Sequence, residues 1–197
     1  MRITQQQKQT VRTQLVHEGL RLFREQGFAA TTVDQVAAAA GVAKGTFYNY
    51  FPAKEDLALA GLVEILTGAE AALDRAGPGG LRHRLLVFYQ SLGGWMGAEP
   101  ELVWLWCIEN MRRGHAEPGS ATFYRSLGRL FAAGQAAGEI RPDRPPDLLA
   151  LDLGGVTLAH IAAWYHGGAA TDLNAALCQA VDAYLSGAYI RRSDPWG

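Results

Sequence analysis

Cysteine is almost missing from this chain. Cys107 and Cys178 are the only two among 197 residues. Both fall in apolar segments of helical spacing and read as reduced, buried small hydrophobes; a redox sensor needs exposed thiols in electropositive surroundings. No apolar run approaches the roughly 20 residues that a membrane-crossing helix requires. The opening MRITQQQKQT lacks the hydrophobic stretch of a secretion signal, so the expected location is the cytoplasm. Its glutamines suggest a solvated arm or a loose helix start. No alternating strand pattern and no internal repeat is evident. Catalytic signatures are missing as well: there is no Gly-rich phosphate loop, no G-x-S-x-G elbow and no H-E-x-x-H pair. His160 and His166 are six positions apart and leave a helix on different faces, so they do not share a metal simply. Asp152 and His160 lie two turns apart, too far for a direct catalytic pair. The expectation is a protein that is not an enzyme and carries neither metal nor cofactor.

What is present is a sizeable core and an uneven charge. Hydrophobic residues make up 49% of the chain and charged residues 19%, the proportions of a soluble globular protein. The length suits one small domain plus a larger one. The formal charge of −1 hides an asymmetry. Through Phe51 the basic Arg2, Lys8, Arg12, Arg21, Arg24 and Lys44 outweigh Glu18, Glu25 and Asp34, a net of +3, and the remainder carries −4. A modestly basic end on an acidic body fits a nucleic-acid reader with a separate second domain, although charge alone could equally describe a solvated face.

Residues 32–51, TVDQVAAAAGVAKGTFYNYF, carry the most information. Val33, Val36, Ala37 and Ala40 occupy one face of a helix over residues 33–40. Thr32 precedes it as an N-cap and Gln35 completes a capping box. Gly41 supplies the positive φ that ends the helix. The next segment, residues 44–50, has Phe47 as its apolar anchor, with Phe51 one turn on, and otherwise displays Lys44, Thr46, Tyr48, Asn49 and Tyr50. A helix that buries so little and shows a cation, hydroxyls and an amide is built to meet something polar, as in a helix-turn-helix. Periodicity alone also fits an ordinary helical hairpin with a solvated face. Upstream, residues 11–26 form a longer amphipathic helix carrying Leu15, Gly19, Leu22 and Phe23, stopped by Gly27. Downstream, Pro52 sits where a fourth helix can begin, with Lys54, Glu55 and Asp56 in its first turn.

The run LFREQGFAATTVDQVAAAAGVAKGTFYNYFPAKEDL, residues 22–57, closely resembles the DNA-binding domain of the TetR family of bacterial transcriptional regulators. The spaced motifs LF-x-E-x-GF, TTV-x-x-VA, AGV-x-KGT-FY-x-YF and KE-x-L carry that resemblance, which covers the first quarter to third of the chain. One position departs: the family usually has Ser or Thr where this chain has Ala43. That change removes a side-chain cap worth about 1 kcal/mol and any phosphate contact from that side chain. By position in the motif, the resemblance implies that Lys44, Thr46 and Tyr48 reach base edges or the adjacent backbone of double-stranded operator DNA. Gly45 would let the backbone approach closely, and Thr32, Asn49, Tyr50 and Lys54 would hold phosphates.

The remaining chain reads as helices over residues 53–75, 81–96, 101–113, 120–137, 147–166 and 171–190. The segment 101–113 is apolar enough through LVWLWCI to be buried on most sides. Gly155, Ala159 and Ala163 form a row of small residues in the first of the last two helices, and Leu173, Leu177, Ala180, Tyr184 and Ala188 share one face of the second. Such faces suit close helix packing, either inside one protomer or between two. The resemblance implies the latter, a homodimer through the two C-terminal helices whose paired recognition helices read a palindrome. Aromatic residues crowd residues 81–166. At helical spacing they describe a core equally well, while the resemblance implies a small-molecule effector pocket. Phe88, Trp95, Trp104, Met111, Tyr124 and Trp164 are its lining candidates, with His160 or Asn110 as the orienting polar group. Walls of Trp and Tyr suit a hydrophobic or aromatic effector, and a cationic one if Glu109 lies near.

The resulting expectation is an all-α protein of about nine helices. An N-terminal three-helix DNA-binding unit with a helix-turn-helix (residues 1–53) precedes a helical effector-binding and dimerisation domain (residues 54–197). Its expected function is that of a ligand-responsive repressor. A DNA-organising protein without small-molecule sensing is the alternative, separable by the salt dependence of specific and random DNA binding.

Overall fold

The computed structural model describes residues 4–97, 99–113 and 118–188. Among these the chain forms nine helices and no strand: α1 (Gln5–Gln26), α2 (Val33–Ala39), α3 (Lys44–Tyr48), α4 (Lys54–Ala76), α5 (Leu81–Met96), α6 (Pro100–Arg113), α7 (Pro118–Ala136), α8 (Pro146–His166) and α9 (Leu173–Ala188). They divide into two compact units, Met1–Glu64 and Ile65–Gly197, and the division falls within α4.

In the first unit α1 starts well before its apolar stripe. Thr4 and Gln7 form a capping box in which the Thr4 amide donates to the Gln7 side chain at 2.8 Å. The glutamines that follow are good helix formers, so the polar stretch continues the helix. α1 buries Leu15, Val16, Gly19, Leu20 and Phe23 and ends at Gly27, whose φ is +86°. α2 opens on the Thr32–Gln35 capping box and buries Val36 and Ala37. Gly41, with φ +67°, turns the chain toward α3. α3 is five residues long and lacks a side-chain cap because its N-cap is Ala43. Asn49 and Tyr50, expected within it, instead form the turn after it, their amides donating to the Thr46 and Phe47 carbonyls at 3.1 and 2.9 Å. Phe23, Val36, Phe47, Phe51 and Leu57 make the core of this unit. Glycine sets how closely α1 and α4 approach: a Cβ at Gly19 would lie 2.4 Å from Leu57 Cδ2, and one at Gly61 would lie 2.4 Å from Leu20 Cδ2.

In the second unit α8 packs on α7 and α9, and α9 packs on α5. Its core includes Leu85, Phe88, Tyr89, Leu102, Val103, Leu127, Phe131, Leu153, Val181 and Leu185. α6 is less covered than its composition suggests: Leu102, Val103, Trp106 and Cys107 are buried, but Ile108 and Met111 are 39% and 58% exposed. Burial pushes the Cys107 thiol up to about 12, whereas Cys178 is only half-buried.

α8 is apolar over most of its surface, which corrects the expectation that no stretch reaches membrane-crossing length and hydropathy; α8 does. One side, with Leu149, Leu153, Gly154, Thr157, Ile161 and Trp164, is buried in the bundle. The opposite side shows Leu148, Leu151, Gly155, Ala159 and Ala163 to solvent. α9 behaves differently: Leu173, Leu177 and Ala180, expected to share an interface, are consumed inside the protomer, and Tyr184 is half-buried. Ala188 and Ile190, at the end of that expected helix, have side chains outside the described residues.

Candidate nucleic-acid interface

The five residues of α3 divide cleanly. Phe47 is fully buried, 5.8 Å from the Phe51 ring, and anchors the helix. Lys44, Gly45 and Tyr48 are exposed, as is Asn49 just beyond. Residues 44 and 48, and 45 and 49, are four apart, so these groups share one face. Tyr48, the most conspicuous, is a large aromatic left 49% exposed and braced edge-on against Phe47 at 5.5 Å. A Cβ at Gly45 would meet no atom within 4 Å, so the backbone is open to approach there. Thr46 and Tyr50 are half-buried at the margins of this face.

The cations nearby are spoken for. Lys44 Nζ donates to Asp34 Oδ2 at 2.8 Å, and that bond holds the ammonium above its usual range. Arg21 is held between Glu18 and Glu25 at 2.8 and 2.6 Å. Lys54 does not project freely from α4. Its ammonium donates to the carbonyls of Phe28 and Thr31 at 2.6 and 2.8 Å and lies 4.2 Å from the Phe28 ring centroid. It therefore ties the α1–α2 connection to the start of α4 and keeps one further N–H donor. The exposed Thr32 hydroxyl is likewise engaged, donating to Gln35 Oε1 at 3.0 Å. Sequence reasoning had assigned nothing to Asp34. The available signal was an acid in the first turn of α2 set across the glycine turn from the single cation of α3.

The residues proposed for an effector fall into separate groups in the second unit. Asn110 and Tyr124 come together, Nδ2 to hydroxyl at 3.5 Å, and Asn110 Oδ1 is buried without a hydrogen-bond partner. Tyr124 lies flush on α8: a Cβ at Gly154 would be 2.4 Å from its ring. Phe123 links it to the fully buried Phe88, at ring separations of 5.3 and 6.1 Å. A groove of about 580 Å³ between α7 and the start of α8 opens beside Tyr124. Trp104 stands apart, stacked on Tyr165 at 5.1 Å with His166 at its edge. Trp164 is buried and its indole donates to the Thr171 carbonyl at 2.7 Å. His160 Nδ1 is 2.9 Å from the Val156 carbonyl on its own helix. Met111 faces solvent, and the side chain of Trp95 lies outside the described residues.

Residues 15–60 match the model of the family described as bacterial regulatory proteins, tetR family. The transcriptional regulator AcuR of Cereibacter sphaeroides is 33% identical over 158 residues, 69% of this chain and 68% of that protein. The transcriptional repressor DhaR of a Mycobacterium species is 30% identical over 155 residues, 71% of this chain and 75% of that one. Among solved structures, Thermus thermophilus FadR in complex with lauroyl-CoA superposes with a TM-score of 0.75 at 23% identity, covering 94% of this chain and 99% of that one. RolR in complex with resorcinol gives 0.71 at 20% identity, covering 95% and 92%. At those identities the structural likeness speaks for the fold.

Proposed function

Because this chain belongs to the TetR family of bacterial transcriptional regulators, we propose that it is a homodimeric repressor that leaves a palindromic operator when a small hydrophobic or aromatic effector binds its second unit. The observation that carries the reading is α3, which spends Phe47 on anchorage and offers Lys44, Gly45, Tyr48 and Asn49 on one open face. Lys44 and Tyr48 would reach base edges with Thr46 beside them. Thr32, Asn49 and Tyr50 would meet phosphates, and Lys54 would act through the α1–α2 connection that it holds. The dimer reading is supported by α8. Its outward face shows Leu148, Leu151, Gly155, Ala159 and Ala163 beside the Arg144–Asp152 ion pair, and is small enough at its centre for a second helix to approach closely. Two α3 helices related by a two-fold axis would then stand about 34–36 Å apart, one turn of DNA.

The effector reading is supported by the Asn110–Tyr124 pair and by the buried Asn110 oxygen, which has no hydrogen-bond partner; the groove beside Tyr124 is lined by Arg125, Arg129 and Asp147 and does not include Asn110. Relatives of the same fold bind a fatty acyl-CoA and a small phenol. An effector needs to favour a state with misplaced recognition helices by about 1–3 kcal/mol to regulate. The test is selection of bound duplexes from a randomised pool by the full-length protein. A two-fold symmetric sequence with half-sites about 10 base pairs apart is expected. Recovery of no preferred sequence would overturn the reading in favour of non-specific DNA binding.

A further inference from the structure

We propose that Asp34, although it stands on α2, is a positioning residue for base recognition: its carboxylate holds the Lys44 ammonium where it can read a base and makes reaching for a phosphate costly. The inference rests on the reading of α3 as the groove helix. Three observations carry it. The ammonium and carboxylate are 2.8 Å apart, and both side chains are more than half exposed, so the pair lies on the same open surface as the rest of the face. Asp34 sits in the first turn of α2, where the helix dipole favours a carboxylate whether or not Lys44 is paired with it. Lys44 is the single cation of α3, so how its charge is used decides much of how this helix discriminates among sequences.

The chemistry follows from donor count. An ammonium has three N–H donors and Asp34 takes one, so two remain for the O6 and N7 acceptors of a guanine without breaking the pair. A phosphate accepting from the same ammonium would bring a second anion up against the Asp34 carboxylate, whereas guanine O6 and N7 are neutral acceptors. Specific use of the charge is therefore free of that cost and non-specific use is not. Specificity arises from what the carboxylate obstructs as much as from what the ammonium grips.

The experiment measures the full-length protein and its Asp34→Asn, Asp34→Glu, Lys44→Met and Asp34→Asn/Lys44→Met variants by fluorescence anisotropy across a salt series. The probes are the duplex recovered by selection and a random-sequence duplex of equal length, with circular dichroism confirming the fold. For Asp34→Asn, random DNA should bind about 2–5-fold tighter, the scale of an exposed ion pair. Its salt slope should steepen by about 0.9 per protomer as one more phosphate contact forms. The selected duplex should bind no tighter, and a repeat of the selection should lose preference at one base position per half-site. Asp34→Glu, which keeps the charge, should retain that preference. In the Lys44→Met background Asp34→Asn should tighten both duplexes alike and leave their ratio and the base preference unchanged. An unchanged or improved specificity ratio for Asp34→Asn would overturn the inference, as would a loss of specificity that persists without Lys44. If Lys44→Met alone alters neither affinity nor base preference, the groove reading itself fails and this inference falls with it.

Discussion

Replacing Tyr89 by Phe and Thr157 by Val, singly and together, separates two energies that are usually confounded. The Tyr89 hydroxyl lies 2.7 Å from Thr157 Oγ1, and both residues are buried. Thr157 also sits 2.8 Å from the Leu153 carbonyl, to which it donates its one proton. Tyr89 must then be the donor in the pair, and burial raises its phenol above the ordinary range, so it stays protonated. Tyr89→Phe removes a donor and leaves Thr157 still bonded to Leu153, a loss of about 0.5–1.5 kcal/mol. Thr157→Val leaves the phenol hydroxyl buried with no acceptor there, which costs about 1–3 kcal/mol. The double variant leaves no orphan and should be more stable than Thr157→Val alone. Urea denaturation followed by circular dichroism gives all three values. On heating, each kcal/mol should move the midpoint by about 2–4 °C. The reasoning is refuted if Tyr89→Phe costs more than Thr157→Val, or if the double variant costs the sum of the two.

Ala43→Ser should add the cap that α3 lacks and stabilise the first unit by about 0.5–1 kcal/mol, read as a higher denaturation midpoint; no gain would contradict the N-cap geometry at that position. Gly155→Glu and Ala159→Arg, on the open side of α8, should leave the fold intact and convert a dimer to a monomer in light scattering. Gly154→Val, one residue away, should damage the fold instead, because its side chain must enter the Tyr124 ring. The buried Cys107 gives a pH signature. The folded state keeps the thiol neutral up to about 12, while the unfolded chain ionises from about 9, so the unfolded state binds fewer protons in that window. Stability should therefore fall as pH rises from 9 toward 12, and Cys107→Ala should flatten that slope.

Short-range chemistry was legible in the sequence and long-range contacts were not. The Thr32–Gln35 box, the Gly27 and Gly41 stops and the missing cap at Ala43 all follow from residues within a few positions of one another, and the structure contains each of them. The early start of α1 stayed open between a solvated arm and a loose helix start, because an apolar pattern cannot mark a helix made of glutamines; the Thr4–Gln7 box was the signal that decides it. Lys54 was assigned to a phosphate with no internal partner in view, because nothing in the sequence places the carbonyls of Phe28 and Thr31, more than 20 residues away, within reach of its ammonium. The Asp34–Lys44 pair was hidden for the same reason. α9 shows the limit of periodicity: Leu173, Leu177 and Ala180 form an apolar stripe whichever partner covers it, and here the partner is the same protomer. α8 gave the opposite outcome, since a helix apolar over most of its surface leaves one face over after its own core is filled.

The central claim is that α3 reads DNA, and the most direct measurement is the affinity of Lys44→Ala and Tyr48→Phe for the selected duplex, beside the unmodified protein at one fixed salt concentration. Both side chains are exposed, so neither substitution disturbs the core around Phe47. The account predicts a loss of about 1–3 kcal/mol for Lys44→Ala, roughly 5-fold to 150-fold in affinity, with relaxed preference at one base position. Unchanged affinity in both variants, with circular dichroism identical to the unmodified protein, would contradict it.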